Sequence, residues 1–338
     1  MSEILIKVTR GNTVENIHRG DIAVVDSQGN LIAYKGDCDK FTFMRSCAKP
    51  LQASTVLESG TAEYFHLEDK EIAIMCASHY AEEFHTDAVE GILSKIGLCE
   101  EDLKLGASYS LNEKIREQTI SSGGTKRKLF NNCSGKHAGM LALAEFKGYD
   151  RGSYMELENP IQQAMLKTVA EYCEYDIHKI EIGIDGCGVP VFALPLFNMA
   201  LSYAKLADRS KLAGTRKKAA EKLVKCMTSY PEMIAGTGGF CSELMRHTKG
   251  RILAKLGADA VYCVSLLDKN IGIAVKVEDG NVKVLSSAVM ETLIQLHALR
   301  EEEIQLLKGF HIKENKNTAQ CKVGEICPAF KLDFTRDK

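Results

Sequence analysis

The chain has 338 residues, 45% of them hydrophobic and 26% charged, which is enough apolar material for a sizeable buried core. Its 43 Lys and Arg against 45 Asp and Glu give a formal charge of −2, and the basic clusters at 126–128 and 216–218 are short, so no nucleic-acid partner is expected. The opening stretch MSEILIKVTRGNTVENIHRGD carries charges throughout and has no long apolar run, so neither a leader nor a membrane span is expected, and the protein should be cytoplasmic.

Residues 22–35 hold two alternating apolar runs around Ser-Gln-Gly-Asn and predict a β-hairpin. Helical patterns follow over 46–58, 83–96, 136–147, 160–174, 212–228 and 291–308; in the fourth, Asn159 is the predicted cap and Pro160 the first helical residue. Strand-like runs lie at 71–76, 181–184 and 260–266. Near the end Asp279-Gly280-Asn281 sits between β-branched runs and predicts a second hairpin. Strands at both ends with helices between them predict an α+β fold, an antiparallel sheet flanked by helical layers, with a doubly wound sheet as second choice. No linker or repeat divides the chain, so a single domain over 1–338 is expected, with an α/β part and a helical part as its possible subdivision.

Two Ser-x-x-Lys spacings occur, Ser46/Lys49 and Ser202/Lys205. The motif is short and decides nothing by itself. Lys205 lies in a polar helix end and reads as a solvated residue. Ser46 instead opens a helix among small and apolar neighbours, where residues three apart share a face. Desolvation there would lower a lysine pKa and suit Lys49 to accept a hydroxyl proton. The plainer alternative makes Ser46 an N-cap and Lys49 an exposed first-turn residue, although a cation there opposes the helix dipole.

The stretch NNCSGKHAGM at 131–140 is no phosphate loop, because Phe130 replaces the required glycine and His137 the Ser or Thr after the lysine. It does crowd Cys133, Lys136 and His137 at a predicted helix start. A second turn, Asp-Gly-Cys-Gly at 185–188, carries Asp185 and Cys187 after a short strand. Cys133 and Cys187 could hold a soft metal such as zinc with a further ligand, or be two unrelated thiols. The twelve cysteines show no CxxC pair and read mostly as reduced core thiols. In CASHYAEEFH at 76–85, helix capping by Ser78 or Thr86 is the simple reading.

Taken together, RSCAKPLQ (45–52), CASHYAEEFH (76–85), NNCSGKHAGML (131–141), IGIDGCGVPVFALPL (182–196), AGTGGF (235–240) and AKLGADAVYCV (254–264) resemble the asparaginase II family, the rhizobial-type L-asparaginases. The resemblance implies a fold similar to serine β-lactamases and glutaminases, and hydrolysis of L-asparagine to L-aspartate and ammonia. It implies Ser46 as nucleophile with Lys49 as base, a second pair formed by Ser78 and Lys255, and zinc held by Cys133, Lys136 and Cys187. Arg45, His137 and Asp185 match substrate-pocket positions, and a homodimer is implied. Alternatives are a glutaminase or other serine amidohydrolase of the same fold and, from another class, a non-catalytic zinc or amino-acid sensor. Two residues depart from the family pattern: Ala81, where glycine is frequent, and Gly239, where arginine is frequent.

Overall fold

The computed structural model describes residues 1–335. Strands β1 (Glu3–Arg10), β2 (Thr13–Asp26), β3 (Leu31–Lys35) and β4 (Phe41–Phe43) open the chain. Helices α1 (Lys49–Glu58), α2 (Thr61–Tyr64), α3 (Asp69–Met75), α4 (Glu83–Lys95), α5 (Glu113–Ser121), α6 (Ser134–Lys147) and α7 (Pro160–Cys173) follow. Then come β5 (Glu181–Ile184), β6 (Pro190–Pro195), α8 (Leu196–Ala207), α9 (Gly214–Ser229) and α10 (Phe240–His247). The chain ends with β7 (Ile252–Gly257), β8 (Val261–Leu266), β9 (Ile271–Val277), α11 (Val282–Gln295), α12 (Glu301–His311), β10 (Lys313–Lys316), β11 (Lys322–Pro328) and β12 (Asp333–Phe334).

These elements fall into two compact units, one of residues 1–47, 194–208 and 244–338, the other of 48–193 and 209–243. The first, the sheet unit, is built on a nine-stranded sheet in the order β10-β11-β1-β2-β9-β8-β7, with β3 pairing β2 and β12. Its ladders are antiparallel, including β2 with β9 from Gly20↔Val277 to Asp26↔Ile271. All six residues of β8 are buried, so both of its faces are covered. Helix α8 packs on β2, β8 and β9, and α11 on β1, β8, β9 and β11. The predicted antiparallel sheet flanked by helices is therefore present, and the doubly wound alternative is not.

The second, the helical unit, packs α1 against α6, α7 and α9, and α3 against α4, α6 and α9. Nine consecutive residues of α1, Lys49 to Leu57, are buried, as are the first eleven of α6. Polar groups inside such helices need partners: Ser54 Oγ lies 3.0 Å from Tyr172 OH, and Thr55 Oγ1 donates to Thr168 Oγ1 at 3.0 Å.

The 22–35 hairpin, the strands at 181–184 and 260–266, and the Asn159-capped helix with Pro160 at its start form as the sequence predicts. Three segments do not. Residues 71–76 form the end of α3 rather than a strand: Glu71 Oε2 accepts the Glu68 N–H at 2.7 Å and closes a helical first turn. The second arm of the late hairpin is α11, because Asn281 Oδ1 caps it by accepting from Lys283 N–H (3.0 Å), and Val282, Leu285, Ala288, Val289 and Thr292 repeat at helical spacing. The helix expected over 291–308 is two, broken where His297 takes φ 48°.

Candidate active site

The stretch around Ser46 is not a helix start capped by serine. Residues 45–48 form a single 3₁₀ turn in the sheet unit, and α1 begins at Lys49 with Ala48 at its N-cap and no side-chain cap bond. Ser46 is buried, and Arg45 ahead of it holds φ 48°, a left-handed conformation that costs an L-residue on the order of 1–2 kcal/mol. Neighbouring contacts pin this turn. Tyr203 OH donates to Cys47 O (2.9 Å), the Cys47 thiol donates to Lys255 O (3.2 Å), and the Arg45 guanidinium pairs with the Asp259 carboxylate. Gly257 permits the approach of β7, since a Cβ there would stand 2.9 Å from Met44 O. Lys255 is fully buried on β7, with its amine donating to Leu256 O at 2.5 Å.

Lys49 is 1% exposed, which excludes the exposed first-turn alternative. Within the helical unit its amine donates to Ala77 O, to Asn132 O at 3.1 Å and to Ser78 Oγ at 3.2 Å. Ser78 caps no helix; α4 has Glu82 at its N-cap, and the Ser78 N–H donates to Ile234 O at 2.9 Å. The loop beyond Ser78 is held by His79, whose Nδ1 accepts the Ala81 N–H (3.1 Å), leaving Nε2–H to donate to Ser134 Oγ (2.8 Å). Burial, reinforced by His85 and Lys49, holds His79 far below the ordinary histidine range.

A second cluster lies at the start of α6. The ligand atoms of Cys133, Asp185 and Cys187 are within 4.8 Å of one another. Lys136 Nζ donates to Cys187 Sγ at 3.0 Å and stands 3.9 Å from Asp185 Oδ2. The hydrogen bond from Cys133, opposed by burial and aided by Lys136, draws Cys187 down to about 5, while that same bond and burial push Cys133 up to about 12. Of the two sulfurs, the surroundings therefore favour the thiolate form at Cys187 over Cys133. Burial would depress the Lys136 amine, but the Cys187, Cys133 and Asp185 charges outweigh it and raise its pKa. Two sulfurs with a carboxylate beside them are a donor set that suits a zinc-type ion. Lys136, as an ammonium, has no lone pair for a metal and serves here as the counter-ion of Cys187; to act as a ligand it must first lose its proton.

His137 is fully buried, with Nδ1 2.8 Å from Tyr154 OH and Nε2 without a hydrogen-bond partner among the described residues. Burial and the Lys136 ammonium lower it to about 3. Tyr154 was not readable from the sequence, since it sits 17 residues further on in an irregular segment that carries no motif. Asp185 joins the thiol cluster, where the resemblance implied only a substrate contact. Thus Lys49 and Ser78 meet, as do Cys133, Lys136, Cys187 and Asp185, in the helical unit. Ser46 and Arg45 lie in the pinned turn of the sheet unit, which touches Lys255 through the Cys47 thiol and the Lys255 main-chain oxygen.

Three further residues differ from expectation or explain a departure. Lys205 is buried rather than solvated, and Ser202 Oγ donates to Met199 O at 2.7 Å. Gly135 of the Gly-Lys pair serves helix packing, since a Cβ would fall 2.3 Å from Ile74 O on α3. At Gly239 a Cβ would lie 2.7 Å from Ala235 Cβ and 3.1 Å from the Tyr80 ring, so Tyr80 takes the space an arginine would need.

A family model described as L-asparaginase II matches residues 6–328, nearly the whole chain. Among solved structures, the chain matches a Bacteroides dorei DSM 17855 protein provisionally described as a beta-lactamase, at 9% identity and a TM-score of 0.44, covering 80% of this chain and 92% of that one. It matches native Mglu in 4.3 M NaCl at 17% identity and a TM-score of 0.38, covering 85% of this chain but 63% of that one. Mglu in a further crystal structure matches at 16% identity and a TM-score of 0.36, over 83% and 68% of the two chains. No curated protein matches.

Proposed function

Because the chain belongs to the L-asparaginase II family, and is by that membership an L-asparaginase, we propose how its own residues perform the reaction. Ser46 Oγ attacks the side-chain amide carbon of L-asparagine while Lys49 takes its proton. The C–N bond breaks, ammonia leaves with a proton, and water then cleaves the aspartyl ester to L-aspartate. Ser78 and Lys255 relay protons to the ammonia and from the water. Arg45, His137 and Asp185 hold the substrate's charged groups, as one catalytic domain formed by residues 1–338 of a homodimer in the cytoplasm.

What supports Lys49 as the base is the setting of its amine; Ser46 as the nucleophile follows from the family's Ser-x-x-Lys match. Two of its three partners are carbonyl oxygens, which only accept. Of the three, the Ser78 hydroxyl is the one partner that can also donate, so it is the one from which an amine acting as a base here could take a proton. That arrangement suits Ser78 as a proton relay. It also favours a second reading, in which Ser78 itself is acylated.

Zinc would be held by Cys133, Cys187 and a deprotonated Lys136, with Asp185 adjacent. Bound between two thiolates it would be a weak Lewis acid, so the chemistry it supplies is orientation of the α-amino and α-carboxylate groups. Chelation is then expected to raise KM more than it lowers kcat; a kcat collapse at unchanged KM would count against this division.

The test is ammonia release from L-asparagine, with L-glutamine alongside, for the wild type, Ser46→Ala and Ser78→Ala. Ser46→Ala should lose about 10³-fold or more in kcat. The wild type trapped during turnover should carry its added aspartyl mass on the Ser46 peptide. Label on Ser78 instead would transfer the nucleophile's role to that residue.

A further inference from the structure

We propose that Tyr154 is a positioning residue that fixes which nitrogen of His137 carries the ring proton, and so makes His137 a donor to the α-carboxylate of L-asparagine rather than a partner of its α-ammonium. The pairing with the carboxylate rests on the reading of His137 as a substrate contact given above; the hold of Tyr154 on the ring does not.

A tyrosine hydroxyl has one proton and two lone pairs. At Tyr154 one lone pair is taken, because the main-chain N–H of Lys104 donates to it at 3.0 Å. Its proton has one acceptor within reach among the described residues, His137 Nδ1 at 2.8 Å. For that bond Nδ1 must be bare, and the ring proton then sits on Nε2. The opposite tautomer would set Nδ1–H against the hydroxyl oxygen, strand the tyrosine's own proton and leave Nε2 bare as well. Two buried groups would then lack partners in place of one.

Both rings are held where this count applies. Tyr154 is fully buried, Gln162 Nε2 on α7 donates to Tyr154 O at 2.8 Å, and Asn159 Nδ2 donates to Asp150 O at 3.0 Å, which ties down the segment on either side. The tyrosine and imidazole rings meet edge to face, 5.6 Å between centroids at 83°. What remains is the N–H on Nε2, buried and without a partner among the described residues. A buried donor is costly to leave unpaired, and an N–H bonds an oxygen but never an ammonium. Of the two charged groups on the substrate's α-carbon, only the carboxylate offers that oxygen, and the bond to it is charge-assisted.

The experiment records proton–nitrogen NMR correlation spectra of the histidine side chains in the full chain, with His137→Gln to identify the ring. In the wild type the proton should sit on His137 Nε2 and the bare Nδ1 should be drawn upfield by the hydroxyl proton; in Tyr154→Phe that Nδ1 line should move downfield. A proton on Nδ1 in the wild type, or an unmoved Nδ1 line in Tyr154→Phe, overturns the hold of Tyr154. Saturating L-aspartate, which keeps the α-carboxylate, should shift the wild-type Nε2 proton downfield, and an unmoved proton overturns the pairing even where Tyr154→Phe fails to fold. Ammonia release is then compared between L-asparagine and its α-methyl ester, whose uncharged oxygen is the weaker acceptor. Tyr154→Phe should raise KM for L-asparagine about 10-fold with kcat within about twofold, and raise KM for the ester by less than about threefold. Equal rises for the two substrates, or a fall in kcat at unchanged KM, overturn the carboxylate pairing. A wild type that releases no ammonia from L-asparagine overturns the reaction assigned above and the pairing with it, while the spectra still decide the hold of Tyr154 on the ring.

Discussion

Ala81 holds φ 57° in the loop between Ser78 and α4, anchored by its N–H on His79 Nδ1. Glycine adopts that conformation without steric cost, so Ala81→Gly should stabilise the protein by up to about 1 kcal/mol, read as a rise in urea midpoint. A lowered midpoint would mean that the methyl's packing outweighs the backbone cost. The sequence flagged this position only through its departure from the family pattern; the physical reason, a left-handed backbone, needed coordinates. The same holds for Lys49. Its apolar neighbours suggested desolvation, but the three oxygens around its amine come from residues 28, 29 and 83 positions away. Lys205 shows the converse, because polar neighbours in sequence did not keep it in water.

At the scale of elements, the start of α6 does two tasks, carrying Cys133, Lys136 and His137 while packing against α3 through Gly135. Gly135→Ala would drive a methyl into the Ile74 carbonyl, a backbone atom that cannot step aside, and should cost about 2–3 kcal/mol or more and lower the midpoint accordingly. An unchanged midpoint would show that α3 and α6 can separate at little cost. Helices with an apolar face and a capping residue, such as α7 behind Asn159, were legible because both signals are local. The α3 segment was not, since EIAIM alternates like a strand and only the Glu71 bond to Glu68 and burial among other helices decide for helix. The Asp279-Gly280-Asn281 turn misled for a related reason: Asn281 reads equally well as a hairpin residue or a helix cap, and the helical spacing beyond it settles the choice.

For the molecule as a whole, buried neutral histidines set an acid limit on stability. Burial lowers His85 to about 4 although its bond to Glu232 O opposes this, while its ordinary value is 6.5. Between pH 6.5 and 4 the unfolded chain takes up a proton that the folded chain refuses, so stability falls as pH drops through that window and levels off below it. His85→Gln should lose less over the same window, by up to about 3 kcal/mol, in urea midpoints compared at pH 7 and 4.5. Parallel losses in both proteins would show that the ring is not held neutral. Among the described residues no helix is long and apolar enough to cross a membrane. The nine-stranded sheet also has a consequence in time. Ile22 of β2 pairs with Val275 of β9, 253 positions later. At about 5–20 residues per second, a ribosome leaves the apolar β2 edge waiting roughly 13–50 s for its partner strand. A nascent chain truncated at residue 250 is therefore expected to partition into the insoluble fraction or onto a holding chaperone, and a soluble, monodisperse fragment would show that the early strands find another cover during synthesis.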